Sequence, residues 1–151
     1  GMITDYWNRP GEIGRSIRNG WFHTGDGAWI DSEGYIFISD RLKDVIRSGG
    51  MNISAMEVES IILDMDGVAE VAVVGAPDKR WGEIVIACVV RKPGAPIEAS
   101  DIEAHCRDLL ANYKMPKQII FLDEFPKNSM GKVLKRELKE SVANLEKDRA
   151  S

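Results

Sequence analysis

The sequence predicts an α+β fold: a small domain with a short, mainly antiparallel sheet flanked by helices, preceded by a β-hairpin that belongs to a larger domain. Three observations predict it. Two apolar runs rich in β-branched residues, Val68 to Val74 and Ile84 to Val90, have the length and continuity of strands buried on both faces. Two serines, Ser54 and Ser100, are each followed three residues later by a glutamate, Glu57 and Glu103, which is the capping-box signature of a helix start. Asp66-Gly67 and Pro93-Gly94 punctuate these segments where the chain must turn.

Taken in order, Glu12 to Arg18 makes a short amphipathic helix with Ile13 and Ile17 on one face, and Gly20 breaks it. Trp29-Ile30 and Tyr35-Ile36-Phe37-Ile38 flank the turn residues Asp31-Ser32-Glu33-Gly34, which predicts a β-hairpin. The apolar pattern then lapses from Asp40 to Lys43, where we expect an inter-domain hinge. A helix opens at Ser54, presents Met56, Val58, Ile61 and Ile62, runs to about Met65 and stops at Asp66-Gly67. The strands Val68 to Val74 and Ile84 to Val90 are joined by a loop from Gly75 to Glu83. A second helix runs from Ser100 to Leu110 or Tyr113, a third strand covers Ile119 to Leu122, and Gly131 opens a final helix with Leu134, Leu138 and Leu145 on one face.

Composition narrows the function. At 151 residues and 44% hydrophobic content the chain suits one globular domain with an appendage. A net charge of −4 argues against a general nucleic-acid binder, which needs a basic surface. Cys88 and Cys106 form no metal-spaced set, with or without His105, so free thiols are expected and a metal site is not. No apolar run reaches the roughly 20 residues of a membrane span, and no signal-peptide layout is visible; the expectation is a cytoplasmic protein. Gly1 before Met2 reads as a cloning remnant, and Tyr6-Trp7-Asn8-Arg9-Pro10-Gly11-Glu12 reads as mid-protein sequence. There is no P-loop around Gly131-Lys132, because Pro126 stands where that motif needs glycine and Val133 where it needs Ser or Thr.

Three blocks carry chemistry: Gly20-Trp21-Phe22-His23-Thr24-Gly25-Asp26; Asp40-Arg41-Leu42-Lys43-Asp44-Val45-Ile46-Arg47-Ser48-Gly49-Gly50-Met51-Asn52-Ile53; and Pro126-Lys127-Asn128-Ser129-Met130-Gly131-Lys132-Val133-Leu134-Lys135-Arg136. In this order and at these separations they resemble the C-terminal end of the adenylate-forming enzymes, the superfamily of acyl-CoA synthetases, peptide-synthetase adenylation domains and beetle luciferases. Ser48-Gly49-Gly50 and Trp81-Gly82-Glu83 are most similar to the acyl-CoA synthetase branch, of the fatty-acid type. The resemblance covers nearly the whole chain. It implies that residues 1–40 are the distal end of a large AMP-binding domain, 41–43 a hinge, and 44–151 the mobile C-terminal domain. The large domain is then the missing partner, and the chain alone is expected to be inactive with no cofactor bound.

The resemblance also implies roles. Lys132 matches the adenylation lysine, whose charge would stabilise the phosphoryl centre of ATP as pyrophosphate leaves. Thr24, Asp26 and Arg41 match positions at the nucleotide, with Asp26 accepting from the ribose hydroxyls and Arg41 donating to their oxygens. Lys43 matches the hinge position. Ser48, Gly49 and Gly50 match the loop that admits the pantetheine arm of coenzyme A, and Trp81, Tyr113 and Lys117 match contacts to its nucleotide end. ATP, Mg²⁺ and coenzyme A are the implied substrates and ion, with a carboxylic acid as co-substrate, and an exposed Lys132 would be a target for a lysine acetyltransferase.

Each residue also has a plain reading. Lys132 is equally a solvated lysine, Asp26 a turn aspartate, Arg41 a surface partner of Asp40 or Asp44, Gly49 and Gly50 a tight turn, Trp81 a cap on the core and Lys117 a solvated lysine. Two other functions remain open at this point. One is an adenylation module that loads a carrier-protein pantetheine; the other is a non-catalytic module whose basic cluster of Lys127, Lys132, Lys135 and Arg136 binds an acidic partner.

Overall fold

A long antiparallel hairpin, β7 (Val68–Asp78) with β8 (Gly82–Arg91), is the spine of the chain. In the computed structural model, which describes residues 5–149, the chain divides into two compact units, residues 1–43 and 44–151. The sequence placed a loop from Gly75 to Glu83 between two shorter strands; instead the strands continue to Asp78 and restart at Gly82. Pro77 is tolerated because β7 lies at an edge of the sheet, where a missing N–H breaks no ladder. The turn is closed by Asp78, whose Oδ1 accepts from the backbone amides of Arg80 and Trp81, both at 2.8 Å.

Both faces of this hairpin are covered, which is why its sequence is apolar almost without interruption. Val73, Val85, Ala87 and Val89 face a cluster containing Ala55, Val58 and Ile62 of α2 (Ala55–Leu63) and Ile102 and Cys106 of α3 (Ala99–Leu109). Ala72, Val74, Ala76, Ile86 and Cys88 face the other way, onto Phe125 and onto Leu138 and Val142 of α4 (Lys135–Arg149). The period of two along each strand sorts alternate residues to the two helical layers. Two strands flank the other edge of β8: β5 (Ile46–Ser48) at its start, and β9 (Gln118–Phe121), which pairs in parallel from Ile86 to Val89. β6 (Met51–Ile53) completes the sheet beside β5.

Several boundaries move for identifiable reasons. Ser54 does cap α2, accepting from Glu57 N at 3.3 Å, but Met56 is exposed and Ala55, Val58 and Ile62 are the buried positions. α3 begins two residues earlier than the Ser100 pattern indicated. Glu98 is the N-cap and its amide donates to Asp101 Oδ2 at 2.8 Å, so an acidic pair does what serine and glutamate were expected to do. Gly49 and Gly50 form a two-residue loop between β5 and β6, both at positive φ (58° and 82°) as that turn demands.

The first unit is built from hairpins. The helix α1 (Glu12–Ser16) is one turn long, and Ile17, expected on its apolar face, instead starts β1 (Ile17–Arg18). Asn19-Gly20 then turns the chain back into β2 (Trp21–Phe22), with φ of 51° and 80°. The expected hairpin at Trp29 is present as β3 (Asp26–Ile30) with β4 (Ile36–Arg41), and β4 carries through Asp40 and Arg41, where the sequence pattern lapsed. Among the described residues no helix is long and apolar enough to cross a membrane.

Candidate functional site

Lys132 sits in a closed loop, not at the start of a helix. Gly131, expected to open the final helix, has a φ of 80°, and α4 starts only at Lys135. Asn128 organises the loop. Its Oδ1 accepts from the amides of Met130 (3.0 Å) and Lys132 (2.9 Å), its carbonyl accepts from Gly131 N, and its own amide donates to Lys132 O at 2.9 Å. Lys127 and Val133 bridge the two arms, and Leu134 N donates to Pro126 O at 2.8 Å. The main chain of Lys132 is therefore held on both sides while the residue itself is exposed.

The neighbouring cations are not equivalent to it. Lys127 Nζ lies 2.7 Å from the carboxylate of Glu70 on β7, and Lys135 Nζ lies 2.7 Å from Glu59 Oε1 on α2. Two charges of the proposed basic cluster are thus spent on internal carboxylates, which weakens the reading of this loop as a surface for an acidic partner.

In the first unit Asp26 and Arg41 are cross-strand partners, with Arg41 Nε 3.2 Å from Asp26 Oδ1. The plain reading sought the partner of Arg41 beside it in sequence, at Asp40 or Asp44; this pair instead spans two strands. Asp40 is buried, and its Oδ1 accepts from Arg41 N at 2.7 Å. Thr24 Oγ1 accepts from Asp26 N at 3.2 Å, so it shapes the turn that presents the carboxylate. Lys43 is exposed and is the last residue of this unit.

At the β7–β8 turn the structure brings Ser48, Gly49 and Trp81 together. Gly49 N donates to Trp81 O at 2.8 Å, Ser48 pairs with Gly82, and a Cβ on Gly49 would stand 2.9 Å from Trp81 Cε3. Gly49 is therefore required first by the indole lying on it. Gly50 has open space around it, so that side of the loop is the accessible one. The Arg80 guanidinium lies 4.9 Å from the Trp81 ring centroid. Lys117 enters β9 with its amide on Val85 O (2.8 Å) and its side chain exposed, at the same end of β8 as Trp81. Tyr113 is in a 3-10 turn, Asn112–Lys114, that Lys114 holds by bonding both oxygens of Glu57 at 2.6 and 2.8 Å. The bond to Glu57 holds the Lys114 ammonium above its ordinary pKa.

The Lys132 loop and the Gly49-Gly50 loop occupy opposite ends of one hairpin. Glu70, which anchors Lys127, and Asp78, which closes the Trp81 turn, are eight residue steps apart along β7, about 26 Å. The anchoring is done by residues to which sequence reasoning assigned no such role: Asn128, Glu59, Glu70, Asp78 and Glu57, the last expected only as a helix-capping residue. Only Asn128 and Asp78, in turns with glycine or charged neighbours, had a local signal. The glutamates bond across long sequence separations that no local pattern reveals.

Residues 57–132 match the family model described as the AMP-binding enzyme C-terminal domain, a span that opens in α2 and closes on Lys132. The chain belongs to this family. Its relatives are adenylate-forming ligases, and it spans just over a quarter of their length. It is 48% identical over 142 residues to the long-chain-fatty-acid–CoA ligase FadD13 of Mycobacterium tuberculosis, covering 94% of this chain and 28% of that one. It is 42% identical to the fatty acid–[acyl-carrier-protein] ligase ScoC of Streptomyces coeruleorubidus, covering 91% and 27%. Among solved structures, ATP-bound MatB from Rhodopseudomonas palustris superposes with a TM-score of 0.84 at 41% identity, over 94% of this chain and 28% of that one. The Bacillus subtilis o-succinylbenzoate–CoA synthetase MenE, in complex with ATP and magnesium ion, gives 0.82 at 39%, over 91% and 28%.

For this member of the family, the cysteines supply no nucleophile. Cys88 and Cys106 are fully buried, and burial pushes the Cys88 thiol up to about 12 and raises that of Cys106. Among the described residues no group of three His, Cys, Asp or Glu converges.

Proposed function

We propose that this domain serves an AMP-forming acid–thiol ligase that converts a fatty-acid-type carboxylate, ATP and coenzyme A to acyl-CoA, AMP and pyrophosphate. In the first half-reaction a carboxylate oxygen attacks the α-phosphorus of ATP and the bond to pyrophosphate breaks. In the second, the coenzyme A sulfur attacks the acyl carbon, the acyl–oxygen bond breaks and AMP leaves, the thiol proton passing to solvent. A magnesium ion arriving with ATP would neutralise phosphate charge. The partner that completes the site is the rest of the same polypeptide.

One observation carries this reading: a lysine with a fixed main chain and an exposed side chain sits on a loop pinned through Lys127 to Glu70, and an open diglycine loop sits by the turn at Asp78, about 26 Å further along the same strand. A lysine side chain cannot bridge that distance, so the two ends serve a single reaction centre in turn. Lys132 supplies the cation for adenylation, and Ser48, Gly49 and Gly50 line the thiol's approach with Trp81, Tyr113 and Lys117 at the coenzyme A nucleotide. Asp26, Thr24 and Arg41 meet the ribose, and Lys43 is where the chain turns between the two poses. The same exposure makes Lys132 a site for acetylation in the cytoplasm, which would remove the charge.

The test is Lys132→Ala in the full-length protein. Acid-dependent exchange of pyrophosphate into ATP should fall at least about a hundredfold, on the order of the loss of one preorganised charge donor. Thioester formation from supplied acyl-adenylate should persist. Equal loss in both would remove Lys132 from the adenylation role. The 42% identity to ScoC supports a second acceptor, a carrier-protein pantetheine, which turnover with carrier protein in place of free coenzyme A would reveal.

A further inference from the structure

Glu59 is the residue whose position the proposed chemistry leaves unexplained. It is on α2, in the layer that packs one face of the β7–β8 hairpin, while α4 packs the other face. Its Oε1 accepts from the backbone amide of Val73 at 2.6 Å and lies 2.7 Å from Lys135 Nζ. Val73 is in the middle of β7, and an amide free to meet a side chain there points away from β8, off the open edge of the sheet. Glu59 thus reaches round that edge and ties the two helical layers together.

What it ties is the first residue of α4, three positions after Lys132. A cation in the first turn of a helix stands at the wrong end of the helix dipole, and the Glu59 carboxylate offsets this for Lys135. Both side chains are mostly enclosed, 22% and 20% exposed, so the pair is screened less than a surface pair. At the other arm of the loop Lys127 is pinned to Glu70. The loop carrying Lys132 is therefore clamped at both feet, and the clamp nearer α4 bears on the sheet through Val73.

We infer that Glu59 is a positioning residue for Lys132, acting through Lys135, so that it governs the adenylation half-reaction and not the thioester half-reaction. The inference rests on the function proposed above. Glu59→Gln keeps an acceptor for Val73 N and removes the charge that holds Lys135. Lys135→Gln removes the same attraction from the other side and serves if the first variant folds poorly.

The experiment measures, in full-length protein, acid-dependent pyrophosphate exchange and thioester formation from supplied acyl-adenylate, each resolved into kcat and KM. Either variant should lower kcat for exchange about ten- to a hundredfold, the range expected when a catalytic group is misplaced by an ångström or less. Thioester formation should stay within about twofold, and the double variant should be no worse than the poorer single one. Equal loss in both half-reactions would reduce Glu59 to a purely structural role and overturn the inference, as would unchanged exchange in both variants or strictly additive losses. Wild-type protein that performs no exchange with any carboxylic acid would instead bring down the functional reading itself, and the inference with it.

Discussion

Both units of this chain contain antiparallel hairpins, and the hairpins reach opposite outcomes. Among the described residues, the second unit holds every buried hydrophobic side chain except Ile13. The first unit pairs its strands correctly but leaves Trp7, Trp21, Trp29, Tyr35, Ile36 and Ile38 exposed, Trp7 almost completely. Its best apolar contact, Trp29 stacked on Phe37 at 4.3 Å, leaves both rings still substantially in water. The difference teaches that turn chemistry alone makes hairpins, while a core needs a second layer to cover them. An apolar surface of this extent is the mark of a face meant to be covered.

The largest effect that could break this comparison is on stability. Ile86→Ala, in the fully buried middle of β8, should cost the second unit about 2–5 kcal/mol, as deletion of a core isoleucine does. Trp29→Ala should cost the first unit no more than about 1.5 kcal/mol, because it loses a stack and little burial. The two units report separately. Three of the four tryptophans are in the first, and both cysteines are buried in the second. Urea unfolding followed by fluorescence and by thiol labelling should therefore give two transitions, with the thiols protected through the earlier one. Coincident transitions would show that the units share one cooperative core.

Much of this was legible in the sequence, and the misses have physical causes. The spine strands, α2 and the Trp29 hairpin follow from long apolar runs and turn residues, where local pattern and tertiary burial agree. The Asn19-Gly20 and Gly49-Gly50 hairpins carried a strong local signal that short flanking strands obscured, since two- or three-residue strands show no readable period. Pro77 was read as a loop residue because edge position is a property of the sheet and not of the sequence. At the candidate site, Lys132, Asp26 and Gly49 stand out by motif. Of their anchors, Glu70 and Glu57 each bond across 57 residues and Glu59 across still more, and such pairs leave no local trace.

A smaller effect sharpens the comparison within the second unit, at the two glycines of one turn. Both have positive φ, so either change to alanine should cost on the order of 1 kcal/mol in backbone strain. Gly49→Ala also drives a methyl to 2.9 Å from the Trp81 ring, whereas Gly50→Ala meets nothing within 4 Å. Gly49→Ala should therefore be the more destabilising by about 1 kcal/mol, the usual scale of overpacking at a site that can partly yield. Urea melts of the two variants check this, and Trp81→Ala should erase the difference. Equal costs in the presence of Trp81 would mean that the indole swings away freely and does not define the loop.

The smallest effect separates two ion pairs, one in each unit. Lys114 has its pKa raised, first by its bond to Glu57, so the stabilisation is fully present below its unfolded value near 10.5 and is lost as pH rises through the higher folded value. Glu57→Gln should cost under about 1 kcal/mol at neutral pH, given the partial exposure of the pair, and the cost should shrink toward zero in strong alkali. Asp26→Asn, which removes the partner of Arg41 in the first unit, is the control, and its cost should not vary between about pH 9 and 11. Buried Cys88, held neutral up to about 12, destabilises the folded state as pH climbs above its unfolded value of 9.0, but it does so in every variant and cancels in the differences. Stability curves of the three proteins against pH therefore isolate Lys114. A Glu57→Gln difference that stays constant to about pH 12 would mean that Lys114 contributes packing and not charge to the turn that carries Tyr113.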